Sequence, residues 1–173
     1  MKKLMLVAAM VLGTAAMSFA QSSVNGAVTV TANVIQALSI SPTSSTLALG
    51  DVAIGTTPYV DPQGKTTTGT SATPILFTVT GQAGHAVTVS YPTSVSMNQP
   101  TGSATLTFTP AVSGTNASGS QGSSNVFSGG SSTGQTLSSG GNYYVYVGGG
   151  TSTLAPGTTL GSYSGTFDVT VTY

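Results

Sequence analysis

Residues 163–173 alternate strictly between two kinds of side chain. Apolar and aromatic side chains lie on one face of this stretch, hydroxyl and carboxylate side chains lie on the other, and the first face consists of Tyr163, Phe167, Val169, Val171 and Tyr173. This period-two alternation predicts a β-strand with one face in a core and one in water. Because the strand ends the chain, we expect one of its edges to lack a partner and to expose backbone donors and acceptors.

A second alternating segment lies near the other end of the chain. Val28, Val30, Ala32 and Val34 share one face of a strand predicted within residues 26–34. Full burial of the valines would contribute about 1.5–3 kcal/mol each, or roughly 5–9 kcal/mol together. We therefore predict that residues 21–35 are an N-terminal extension that supplies a donor strand to a sandwich formed by residues 36–173.

Residues 1–20 have the pattern of a secretory signal peptide. Lys2 and Lys3 precede an apolar run, and Ala20 ends a cleavage site of small residues. The apolar run is too short to span a bilayer. We expect export of the chain, cleavage after Ala20 and no membrane insertion of the mature chain.

Charged side chains are scarce after the predicted cleavage site. The one cation is Lys65 and the three anions are Asp51, Asp61 and Asp168, which gives a net side-chain charge of −2. The chain has no cysteine. A single cation argues against nucleic acid as a partner. The absence of cysteine leaves stability to packing and backbone pairing.

The sequence offers few groups for catalysis or metal binding. His85 is the only histidine, and no nucleophile-elbow motif is present. Asp51 and Asp61 lie near predicted turns without a calcium-loop motif. We predict no catalytic residue, no metal site, no cofactor and no enzymatic activity.

Short strands separated by Gly and Pro turns fill residues 36–173, and no segment shows convincing helical periodicity. Strands are predicted at 37–40, around 47–54, and at 75–80, 86–91, 101–109, 142–147 and 163–173. Such a pattern indicates an all-β chain, an immunoglobulin-like antiparallel β-sandwich that is incomplete until a donor strand completes it.

Several connections between these strands have recognisable turn chemistry. We expect Pro42 to end the first strand, residues 61–64 to form a turn, and strands 75–80 and 86–91 to form a β-hairpin. The glycines at 148–150 predict another turn. The Gly/Ser-rich residues 113–141 predict either a long surface loop or a weak edge hairpin held by Val126 and Phe127.

The strand at 142–147 carries the most tempting ligand-binding side chains. Tyr144 and Tyr146 share one face, and an exposed pair would stack on sugar rings. The alternative is that they are ordinary strand aromatics, with Tyr143, Val145 and Val147 in the core.

Both ends of the chain resemble a known family. Residues 161–173 resemble the C-terminal strand of chaperone–usher pilins, where an alternating segment with Gly and aromatic residues pairs with the chaperone. Residues 28–34 are similar to the donor strand of the cysteine-free, alpha-type pilins. Tyr173 lies one position later than the corresponding residue of many pilins. The mature chain also resembles an uncharacterised bacterial family of secreted Gly/Thr-rich β-sandwich domains.

The pilin resemblance implies a structural subunit of a surface fibre, a fimbria or pilus, assembled by donor-strand exchange. It implies further copies of the chain, a periplasmic chaperone and an outer-membrane usher as partners, and passage through the periplasm to the cell surface. The donor residues are Val28, Val30, Ala32 and Val34, and the acceptor strand carries Tyr163, Phe167, Val169, Val171 and Tyr173. The alternative is a self-complemented, monomeric secreted or surface β-sandwich with a binding or coat role, carbohydrate being one candidate ligand.

Overall fold

The larger of two antiparallel sheets is built around the long strand at residues 142–151. The computed structural model describes residues 28–173, and the sandwich comprises residues 35–173. Its strands are β1 (Ser39–Pro42), β2 (Tyr59–Val60), β3 (Thr67–Thr68), β4 (Ile75–Thr80), β5 (Ala86–Ser90), β6 (Val95–Asn98), β7 (Thr105–Thr115), β8 (Asn125–Val126), β9 (Ser131–Thr136), β10 (Asn142–Thr151) and β11 (Thr170–Thr172), with a 3-10 helix at Gln121–Ser123. The predicted all-β, antiparallel sandwich is confirmed.

The larger sheet is organised by the length of β10. One edge of β10 pairs first with β4 and then with β2, and the other edge pairs with β7. β1 lies beyond β4, and β3 lies beyond β2. β7 pairs with β6 near its start and with β8 near its end. The smaller sheet has the order β11–β5–β9.

The core lies between the two sheets and draws alternate residues from both. The buried members of this cluster are Val79, Val87, Val89, Val112, Phe127, Leu137, Tyr143, Val145 and Val147. The prediction that Tyr143, Val145 and Val147 are core residues is confirmed. The Tyr143 hydroxyl donates a 2.6 Å hydrogen bond to Gln135 Oε1, and burial raises the pKa of Tyr143 to about 12.

The predicted β-hairpin between β4 and β5 is wrong. Both edges of β4 are occupied, by β1 and β10, whereas β5 pairs with β11 and β9 in the other sheet. The turn through Gly84, whose φ is 72°, therefore carries the chain from one sheet to the other. Alternation identified both strands correctly but did not identify their neighbours.

The glycines at 148–150 are strand, not the predicted turn. They continue the ladder of β10 with residues 109–111 of β7, and Gly149 and Gly150 also pair with β2. A Cβ at Gly148 would lie well inside 3.0 Å of the Val60 carbonyl oxygen, and one at Gly150 would lie as close to that of Pro58. Glycine is required here because two neighbouring backbones approach β10 closely.

Residues 113–141 contain more regular structure than a surface loop. β7 extends to Thr115, and β8 and β9 follow. Phe127 is 8% exposed and its N–H donates to the Val112 carbonyl at 2.8 Å, whereas Val126 is 61% exposed. Of the two residues predicted to hold this region, Phe127 alone anchors it to the core.

Two smaller predictions about turns and strand ends are confirmed. The turn at 61–64 is confirmed, because Gly64 has a φ of 68° and its N–H donates to the Asp61 carbonyl at 2.9 Å. The prediction that Pro42 ends the first strand is confirmed, since Pro42 is the last residue of β1 and lies opposite Phe77. An edge position suits proline because no N–H is needed on the open side.

Substitution of Gly150 by alanine should destabilise the sandwich by about 3 kcal/mol or more, because the new methyl group would meet backbone atoms that cannot rotate away. Gly122→Ala is the matched control, since no atom lies within 4 Å of its Cβ position and its φ is not positive. Urea denaturation of both variants measures the difference. Equal stability of the two would contradict the close approach of β2 to β10.

The pKa of Tyr143 predicts a specific loss of stability in alkali. Its folded pKa of about 12 lies above the ordinary value of 10.0, so the unfolded chain loses this proton first as the pH rises. The stabilising contribution is therefore complete below pH 10.0 and declines towards pH 12. Unfolding free energy measured across this window should fall more steeply for the natural sequence than for Tyr143→Phe. Parallel curves would mean that Tyr143 is not desolvated.

Candidate functional site

The C-terminal segment, residues 160–173, passes from the larger sheet to the smaller one. At its start, Ser164 exchanges two backbone hydrogen bonds of 2.8 and 3.0 Å with Asn98 at the end of β6. At its end, β11 pairs with residues 88–90 of β5. The ladder covers only Thr170–Thr172, so the strand is shorter than the predicted 163–173. Within the described residues, β11 is an edge strand with one neighbour.

Burial along this segment follows the alternation of its side chains. Phe167, Val169 and Val171 are half-buried and pack against the core, whereas Asp168 and the threonines beside it are exposed. The Phe167 ring stacks on that of Phe108, with centroids 6.1 Å apart and an interplanar angle of 28°. The apolar face is therefore directed inwards but incompletely covered.

Tyr173 ties the end of the segment to two other parts of the sandwich. Its hydroxyl donates to the Gln36 carbonyl at 2.5 Å and accepts from the Gln82 N–H at 2.7 Å. The His85 ring meets the Tyr173 ring edge-on at 5.9 Å. Gly81 lies beside the hydroxyl, where a Cβ would collide with it. These partners could not be predicted, because hydroxyl contacts between residues so far apart in the chain leave no periodic signal.

The predicted donor residues are almost fully solvent-exposed. Val28, Val30 and Val34 are 86, 88 and 91% exposed, Ala32 is exposed as well, and no strand is found at 28–38. The earlier part of the predicted extension lies outside the described residues, as does the predicted signal peptide at 1–20. The alternating valines thus bury little apolar surface in this chain.

An apolar cleft of about 520 Å³ lies beside the start of the C-terminal segment. Residues 46–54 and 158–165 line it, together with Met97 of β6 and Leu106 of β7. The strand predicted around 47–54 is wrong, because this stretch forms no ladder with any described residue. Leu47, Leu49 and Val52 are instead half-buried within an irregular stretch. Sequence reasoning identified their apolar pattern but not the cleft.

Tyr144 and Tyr146 do not form an exposed pair. Tyr146 is only 5% exposed, and burial, followed by the proximity of Tyr144, raises its pKa. Tyr144 is half-buried and lies opposite Thr78 and Thr115 on the neighbouring strands. The aromatic surface that would stack on a sugar is therefore absent in this conformation.

Ionisable side chains do not converge in the described part of the chain. No group of three or more His, Cys, Asp or Glu residues there is placed to hold a metal ion. The Asp61 carboxylate accepts a 2.9 Å hydrogen bond from the Gln63 N–H and so stabilises the turn at residues 61–64. Asp51 and Asp168 are exposed. Among residues 28–173, no helix is long and apolar enough to cross a membrane.

One protein family matches most of the length of this chain. A family model described as a domain of unknown function, DUF4402, matches residues 7–173. The chain belongs to the DUF4402 family. The matched range includes the exposed valines, the residues that line the cleft and the C-terminal segment. A search of curated proteins found no match.

Loss of the Tyr173 hydroxyl should weaken the attachment of the last residue to the rest of this DUF4402 domain. Tyr173→Phe removes both hydrogen bonds of that hydroxyl and should lower the free energy of unfolding by about 1–2 kcal/mol. It should also speed hydrogen exchange at the Gln82 amide. Tyr163→Phe is the matched control, because the one hydrogen bond of the Tyr163 hydroxyl within residues 28–173 goes to the nearby Thr159 carbonyl at 2.7 Å. An unchanged Gln82 exchange rate in Tyr173→Phe would contradict the assigned contact.

Proposed function

We propose that this DUF4402 chain is an exported structural subunit of a surface fibre, assembled by exchange of its N-terminal strand. The observation that carries the proposal is the exposure of the alternating valines at 28, 30 and 34. It is joined by a C-terminal segment whose apolar face is half-buried and whose β11 has an open edge. One copy thus holds both an unburied strand pattern and an open sheet edge.

The free energy of burying the valines favours strand exchange over their continued exposure to solvent. Burial of each valine is worth about 1.5–3 kcal/mol, and exposures of 86% or more leave nearly all of it unused. Backbone hydrogen bonds to the receiving sheet add affinity in strand addition. The total is comparable to the ~5–15 kcal/mol stability of a whole domain. An inserted strand would therefore decide how stable each subunit is.

The charge pattern is compatible with a buried donor strand. Residues 28–34 contain no ionisable side chain, so their insertion carries no cost of desolvating a charge. The partners on this proposal are further copies of the chain, with the periplasmic chaperone and outer-membrane usher that the pilin resemblance implies. No disulfide can join the subunits, because the chain has no cysteine.

The decisive experiment is gel migration of the surface-sheared fraction in SDS, unheated and boiled, detected with an antibody to this chain. Strand exchange predicts a ladder in the unheated lane that collapses to monomer on boiling, because the contacts are kinetically trapped but not covalent. Monomer in both lanes would overturn the proposal and favour the self-complemented sandwich.

A pair of matched variants separates strand insertion from general adhesion. Val30→Asp places a charge on the face that would be buried and should reduce the ladder at least about tenfold. Thr31→Asp adds the same charge on the opposite face of the predicted strand and should leave most of the ladder in place. Equal loss in both variants would argue against a buried face formed by Val28, Val30 and Val34.

A further inference from the structure

We propose that the apolar cleft between residues 46–54 and 158–165 is the groove that receives residues 28–34 of a second copy. This inference rests on the proposed function and adds the place of insertion. The open edge of β11 is the other place available, and the contacts of the two sites distinguish them.

The two walls of the cleft have free hydrogen-bonding capacity. Among the described residues, neither 47–52 nor 159–163 makes a backbone–backbone hydrogen bond. Side chains satisfy part of this capacity, since the Thr70 hydroxyl donates to the Leu49 carbonyl and Gln99 Nε2 donates to the Leu160 carbonyl at 2.9 Å. Backbone groups that are to be buried need partners. An extended strand lying between the walls would supply partners to both of them.

One wall already has the side-chain pattern of a strand. Leu47 and Leu49 alternate with small residues, and both are half-buried on the cleft side. This pattern is typical of a strand in a sheet, yet the stretch has no ladder. A local sequence of this kind that lacks a partner among residues 28–173 fits a partner supplied by another chain.

The cleft and the exposed segment match in polarity. The cleft is lined by apolar residues, including Leu47, Leu49, Met97 and Leu106, and by hydroxyl side chains such as that of Thr158, and Asp51 is its only charged side chain. Residues 28–34 likewise combine apolar and uncharged polar side chains. By contrast, the apolar face of the C-terminal segment already packs on the core through Phe167, Val169 and Val171, which are half-buried. A strand added beside β11 would pair with an open edge but would meet an apolar face that is already partly covered.

The absence of native cysteine permits a direct test by cross-linking. Two differently tagged full-length chains are produced together, one with Val30→Cys and the other with Leu160→Cys in the cleft wall. In the control pair, Thr170→Cys on β11 replaces Leu160→Cys; both acceptor positions are exposed. The surface-sheared fraction is treated with a short bismaleimide, boiled, and scored for the mixed dimer. Val28→Cys serves as a second donor position.

Insertion in the cleft predicts at least about five times more mixed dimer with Leu160→Cys than with Thr170→Cys, from both donor positions. Equal or greater cross-linking to Thr170→Cys would overturn the inference while leaving strand exchange intact. A ladder in the unheated lane without either mixed dimer would also overturn the inference while leaving strand exchange intact. Absence of a ladder from the natural sequence would instead overturn the proposed function itself.

Discussion

The backbone contact between β10 and β2 at Gly148–Gly150 is the constraint on which much of this sandwich depends. It places two carbonyl oxygens, those of Val60 and Pro58, where any side chain on β10 would lie. The same contact positions the cleft, because Pro58 and Thr151 both line it and are joined by a 3.2 Å hydrogen bond. A strand of glycines thus fixes where β2 can lie, and β2 in turn bounds the candidate site.

Alternation of side chains predicted strands well and strand neighbours poorly, for a physical reason. The period of two reports which face of a strand is buried, and β4, β5 and β10 were found where the pattern placed them. It carries no information about which edge meets which strand, so β4 and β5 looked like a hairpin although they belong to different sheets. The glycines at 148–150 were wrongly predicted to form a turn. Glycine occurs both in flexible turns and where two backbones approach closely, and composition alone does not distinguish these two cases.

The candidate site was partly predictable on the same grounds. The inward direction of Phe167, Val169 and Val171 could be read from the sequence, since it depends on local alternation alone. The cleft could not, because it arises where two segments distant in sequence, 46–54 and 158–165, lie near each other without pairing. The Tyr173 contacts with Gln36 and Gln82 were equally hidden, as they depend on where three chain segments meet.

Open strand edges are commonly protected by charge, and this chain has little of it. Lysine at an edge is a usual guard against unwanted pairing, yet Lys65, the only lysine in the described residues, lies in the turn between β2 and β3. The cleft has a single carboxylate, Asp51, and β11 has Asp168 just before it. With so few charges, neither repulsion nor attraction can select a partner strongly. On the proposed function, specificity must therefore come from shape, with valines at 28, 30 and 34 and the smaller Ala32 setting the register of the inserted strand.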